Sequence, residues 1–166
     1  MDKSLLTLRG RLELQGFTGL SEQRQREVDR WLRLAPAICL IWAAAGFYQA
    51  SPQIIAALIP FAALGALLPT HPFDVIYNYG IRFLTGGEKL PPYSAPRRFA
   101  CALATVWLTV NALLFHFQAT QMGYAMGILF VTVPFINMTL GFCIPSYLYR
   151  LFFGYPKTQN TGQEIN

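Results

Sequence analysis

Four long apolar runs interrupt an otherwise mixed sequence: Leu34 to Ala50, Ile54 to Pro69, Phe99 to Phe117 and Met122 to Ile144. None contains a Lys, Arg, Asp or Glu, because a charged side chain at the centre of a bilayer costs several kcal/mol. A helix rises about 1.5 Å per residue, so roughly 20 apolar residues cross a hydrocarbon core of about 30 Å. The third and fourth runs reach that length. The first two sit near the lower limit and span with flanking polar residues snorkelling outward. A buried soluble helix pair is the alternative for those two, but no adjoining segment supplies a soluble core around them. The pattern predicts an all-α protein, a four-helix transmembrane bundle forming a single integral membrane domain over residues 1–166. Its spans cover about 34–50, 54–69, 99–117 and 122–144, and its cytoplasmic parts are 1–33, 70–98 and 145–166.

The polar stretches between the runs carry their own signals. Ser21 is placed to cap a helix running through Glu22, Glu27 and Asp29 to Leu34, with an acid in its first turn as the helix dipole prefers. Alternating charges make this a cytoplasmic N-terminal helix at the membrane entrance, with Trp31 as an interfacial anchor. In the central segment His71-Pro72-Phe73-Asp74 reads as a helix start. Phe73, Ile76, Tyr77 and Leu84 follow at helical spacing and predict an amphipathic segment lying in the headgroup plane. Gly86-Gly87 ends it, and the proline-rich stretch from Leu90 to Pro96 is an extended strap. Arg97 and Arg98 stand at the mouth of the third span, where they are expected to snorkel toward phosphates. With Trp31 and Tyr77 they form the expected lipid or partner contacts.

Charge orients the bundle. Seven of the 13 Lys and Arg residues precede the first span, four lie in the central segment and two in the tail. The two short connections, Ser51-Pro52-Gln53 and Gln118-Ala119-Thr120-Gln121, carry none. Cytoplasmic segments are enriched in Lys and Arg, so both termini and the central segment are expected in the cytoplasm, N-in and C-in. The same bias explains the net charge of +5, and acids interleave with the basic residues, which argues against a nucleic-acid partner. The N-terminus is polar for more than 30 residues, so the first run reads as an uncleaved anchor rather than a signal peptide.

Three groups of residues, His71 to Asn78, Pro96-Arg97-Arg98-Phe99-Ala100 and Gly141-Phe142-Cys143-Ile144-Pro145-Ser146, resemble the bacterial membrane family known as domain of unknown function 4395. The resemblance runs from roughly residue 28 to residue 153 and implies a bacterial cytoplasmic membrane protein with no established activity. Many members of that family end the last span with a Cys-x-x-Cys pair. Ser146 stands at the second position here, so dithiol chemistry does not carry over intact.

Cys39, Cys101 and Cys143 all fall within about two helical turns of the cytoplasmic end of their spans. A reducing compartment argues against structural disulfides, and free cysteines commonly serve as small apolar packing residues. Cys143 has a sharper reading. Pro145 interrupts the fourth span and starts a second, interfacial helix through Tyr147, Leu148 and Phe152. The dipole of such a helix favours negative charge at its N-terminus, where thiolate chemistry is promoted. A Cys-x-x-Ser site could form a mixed disulfide or carry a persulfide but could not resolve it alone.

The remaining chemistry is sparse. His71 and His116 belong at opposite faces of the bilayer and cannot share a metal, and no nucleotide, zincin or nucleophile–base motif is present. No cofactor and no metal site is expected. Asn111 and Asn137 lie inside the third and fourth spans as interhelical hydrogen-bonding residues, and Gly123 with Gly127 forms a small-xxx-small pair. No carboxylate or ammonium lies within a span, which disfavours proton-coupled transport. The expected role is a non-catalytic scaffold or accessory subunit acting through the cytoplasmic face. Its partners are the lipid bilayer and another membrane or cytoplasmic protein. A membrane thiol or sulfur-handling component centred on Cys143 is the alternative, and a small-solute permease comes third.

Overall fold

A computed structural model of the chain describes residues 7–154. Lys3 and Lys157, which entered the charge count above, lie outside that range. The described residues form helices and no strand. In order they are α1 (Leu8–Leu14), α2 (Glu22–Trp31), α3 (Leu34–Tyr48), α4 (Pro52–Leu67), α5 (Asp74–Ile76), a π-helical turn (Tyr77–Ile81), α6 (Arg82–Thr85), α7 (Ala95–His116), α8 (Thr120–Leu140) and α9 (Ile144–Phe153).

Three helical stretches are long and apolar enough to cross a membrane: Glu22–Tyr48, α7 and α8. In the most apolar windows of α7 and α8 only 22% of residues are buried inside the protein, so most of their side chains are left for an apolar surrounding. Ile41, Val106, Met122, Ile128, Leu129 and Phe135 all point outward. A soluble helix would cover such residues. The apolar helix α4 is shorter, at 16 residues.

Helices α3, α4, α7 and α8 close into a ring, each touching the next. Their order follows from two tight turns. Ala50 adopts a positive φ of 47°, and the Ser51 hydroxyl accepts from Ile54 N at 3.4 Å to start α4. Gln118, with φ 59°, turns α7 into α8. The helix expected after Ser21 is present, with the Ser21 hydroxyl accepting from Arg24 N at 3.4 Å. It ends at Trp31, before the predicted Leu34.

One end of the ring is densely packed. Phe47 of α3, Phe115 of α7 and Phe130 of α8 meet there, with centroids 6.4 Å apart for Phe47–Phe115 and 6.0 Å for Phe47–Phe130. They fit because α8 presents glycine to them. A Cβ on Gly123 would stand 3.0 Å from the Phe115 ring, and one on Gly127 would stand 3.1 Å from Phe47.

The other end departs from the expected boundaries. The fourth apolar run is not one helix to Ile144. Gly141 takes the left-handed conformation at φ 69°, closing α8 at Leu140, and α9 begins at Ile144 with Pro145 in its first turn. The last carbonyls of α8 would be left without partners. Arg33 donates to Met138 O and Thr139 O at 2.9 and 3.3 Å, Arg11 donates to Leu140 O, and the Gln15 amide donates to Gly141 O at 3.3 Å. Cations suit a helix C-terminus, and Asp29 holds Arg33 in place at 2.5 Å.

The central segment is also rearranged. Phe73 and Tyr77 are buried, whereas Ile76 and Leu84 are exposed, so these four do not share one face. The π-helical turn from Tyr77 to Ile81 shifts the register, and the outward apolar residues are Val75, Ile76, Tyr79, Phe83 and Leu84.

Candidate functional site

A cavity of about 340 Å³ lies inside the ring at the α9 end. Cys39 reaches it from α3, Cys101 from α7, and Cys143 from the junction of α8 and α9. All three cysteines are free thiols. Arg97, His71, Tyr93 and Asn137 complete its polar lining. The remainder is apolar, including Ala62, Leu103, Trp107, Phe130, Val133 and Leu148.

Each polar group arrives for a local reason. Cys143 is the N-cap of α9, and the Ser146 hydroxyl donates to its Sγ at 3.1 Å. The Cys-x-x-Ser spacing puts the hydroxyl one turn on, at the same helix start. His71 enters from the connection after α4, where Gly65 leaves room for it. A Cβ on Gly65 would lie 3.0 Å from His71 Nε2 and 3.1 Å from Cys101 Sγ, so imidazole and thiol crowd the same spot. The Phe73 N–H donates to His71 Nδ1 at 3.3 Å. The neutral ring therefore carries its proton on Nε2, as a donor on the side of Cys101. Burial, and after it the nearby Arg97 guanidinium, push the His71 pKa down to about 4, so the ring is neutral at physiological pH.

Arg97 corrects a prediction. It is 5% exposed and does not reach toward phosphates. It donates to Gln15 Oε1 at 2.8 Å, Leu32 O at 2.8 Å and Tyr93 Oη at 3.2 Å, and its guanidinium lies 4.5 Å over the Tyr93 ring. The first turn of α7 points it inward, toward α1 and α2, rather than along the membrane surface. Arg98, one residue on and so about 100° round the helix, is exposed. It donates to Ala66 O and Leu67 O at 2.8 and 2.9 Å, capping α4.

Tyr77 likewise is no lipid contact. It is fully buried, its hydroxyl donating to Glu27 at 2.9 Å, and the Trp31 ring packs tilted against it with centroids 4.6 Å apart instead of anchoring freely at an interface.

Behind the cavity, Asp74 is 1% exposed and neither carboxylate oxygen has a hydrogen-bond partner of good geometry. Burial raises its pKa, while Arg97 and the neighbouring Tyr93 hydroxyl pull it back down. Burial also holds the Tyr93 hydroxyl well above its ordinary value, so it stays protonated.

The two asparagines have different settings. Asn111 is fully buried on α7, and with its amide oriented to suit its neighbours it donates to Gly123 O and accepts from Gly127 N, both at 3.1 Å. Asn137 lines the cavity. His116 is exposed at the far end of α7, 15 residues and about 22 Å of helix from Cys101. Among the described residues no three His, Cys, Asp or Glu side chains are grouped as metal ligands. Sequence reasoning missed Gln15, Tyr93 and Asp74. Only Asp74, an acid in an otherwise apolar helix start, carried a signal.

The fold and cavity define a helical protein with three helices long and apolar enough to span a membrane and a thiol-lined chamber at one end of its helical ring. The model of the family named domain of unknown function (DUF4395) matches residues 29–153, and the chain belongs to that family. No curated protein and no solved structure matches it. The match begins within α2, so α1 and Gln15, the partner of Arg97, lie outside it.

Proposed function

We propose that this is a four-span protein of a bacterial cytoplasmic membrane that handles sulfur through Cys143. Helices α3, α4, α7 and α8 are the spans, α4 crossing with help from its flanks. Residues 1–33, 70–98 and 145–166 face the cytoplasm, and the whole chain is one domain. The outward residues of α5, the π-helical turn and α6 rest in the headgroup region, together with Leu151, Phe152 and Phe153 of α9. The observation that carries the functional reading is the convergence of all three thiols on one cavity beside Arg97.

Cys143 is the nucleophile because it sits at a helix start with a hydroxyl on its sulfur. In the forward step its thiolate attacks the terminal sulfur of a low-molecular-weight persulfide. The donor S–S bond breaks, the donor thiolate leaves with the electron pair, and Cys143 becomes the persulfide. An acceptor thiolate removes the sulfur in the same way, with no net oxidation. Arg97 supplies positive charge near the anionic sulfur. A scaffold role acting through the cytoplasmic face takes second place, because the assembled cavity offers chemistry that a scaffold does not need.

The test is site-resolved mass spectrometry of the purified protein after exposure to a small persulfide. One sulfur atom should be gained at Cys143 and lost again to an added thiol. A Cys143→Ser protein should gain none. Sulfur distributed equally over the three cysteines, or absent from all, would remove the proposal.

A further inference from the structure

The cavity holds a buried guanidinium that no carboxylate touches. The three hydrogen bonds of Arg97 go to an amide, a backbone carbonyl and a phenol, all neutral. Among the described residues no carboxylate lies within ion-pair distance of its guanidinium. His71 is neutral, and Asp74, whose carboxyl group acts on Arg97 from behind the cavity, stands outside ion-pair distance of it. A buried cation without a contact ion pair gains further stabilisation when an anion arrives beside it. The polar lining supplies donors: the guanidinium, His71 Nε2–H and the thiols.

The rest of the chamber is hydrocarbon, with Leu103, Ala104, Trp107, Phe130, Val133 and Leu148 as walls. Its volume of about 340 Å³ is at the small end for ligand pockets. At about 30 Å³ per water-sized group it takes roughly eleven heavy atoms, and a longer chain leaves by its open side. An inorganic anion would leave most of the space empty, and two full acyl chains exceed it.

We infer that the cavity binds a small single-chain amphiphile whose anionic head lies against Arg97 and whose apolar body lies along α7 and α8. The head is a carboxylate or a phosphate monoester. This inference uses the same cavity as the sulfur reading but does not depend on it, because binding needs no reactive thiol. The ligand would lie across Cys101 and Cys39 and shield both.

The experiment uses the purified Cys143→Ser protein in detergent, so that loss of sulfur chemistry leaves the binding question intact. Alkylation of Cys39 and Cys101 by N-ethylmaleimide is timed with decanoate, decyl phosphate or decanol present. Native mass spectrometry counts bound molecules in parallel. Slowing by fivefold or more, with one bound molecule, is expected for at least one of the two anions and not for decanol. Whichever anion protects identifies the head. Arg97→Gln should remove the protection. Should that variant fail to fold, the comparison of decanoate and decyl phosphate with decanol in the Arg97 protein decides alone. Equal protection by decanol, or no protection and no bound molecule with either anion, overturns the inference.

Discussion

The two ends of the helical ring are built from the same four helices and differ in almost every physical respect. At the far end Phe115 and Phe47 press against Gly123 and Gly127 of α8, Phe130 meets Phe47 edge-on, and among the described residues the one buried polar side chain there, Asn111, meets a donor and an acceptor of the α8 backbone. At the α9 end the helices part around a cavity with three thiols, a neutral histidine and a guanidinium whose hydrogen-bond partners are all neutral, and the buried Asp74 carboxyl group lies behind it. Close packing and satisfied polar groups are what stability selects. Voids and buried charge without a contact ion pair are stability costs, retained where a site needs them. The comparison assigns the bundle's cohesion to one end and its chemistry to the other.

The largest expected effect separates the ends by pH. His71 has a folded-state pKa of about 4, below the ordinary 6.5, because burial disfavours its charged form. Its contribution to stability is complete above about pH 6.5 and falls as pH drops from there toward 4. The loss reaches about 3 kcal/mol at its full extent. Asp74 acts in the opposite sense, since its raised pKa favours the folded state on acidification. The thermal unfolding of His71→Asn between pH 7 and pH 4 therefore has to be compared with the parent. The variant should lose less stability on acidification, and an identical pH profile would place His71 outside the buried cluster.

Substitution at the packed end should act without pH dependence. Gly127→Leu drives a side chain into the Phe47 ring and should cost about 1–3 kcal/mol at every pH. Sulfur uptake at Cys143 by the folded fraction should remain unchanged. Asn111→Ala, which gives up two bonds to α8, should cost on the order of 1 kcal/mol in the same melt. Arg98→Ala, which uncaps the end of α4 at an exposed position, should cost only about 0.5 kcal/mol. If Arg98→Ala matched Gly127→Leu, the division between a cohesive end and a chemical end would need redrawing.

Much of the cohesive end was legible in the sequence, because expulsion of charge from apolar helices and the Gly123–Gly127 spacing are one-dimensional signals. The chemical end was only partly so. Cys39, Cys101 and Cys143 could be assigned a common depth from helix rise, but which way each side chain turns depends on how α3, α7 and α9 pack. Arg97 and Arg98 read as an equivalent pair, yet one residue of helix rotation buries the first and exposes the second. The π-helical turn at Tyr77–Ile81 broke a periodicity argument that assumed an uninterrupted α-helix. Gln15 was invisible because its importance comes entirely from a partner 82 residues away.

Cross-linking tests most directly whether the three thiols share one chamber. In each of the three single Cys→Ser proteins two thiols remain, and a short bifunctional maleimide should join them within one chain in membranes, with the link located by mass spectrometry. An intramolecular link is expected for all three pairs. Ready alkylation of each thiol with no intramolecular link in any pair would contradict it.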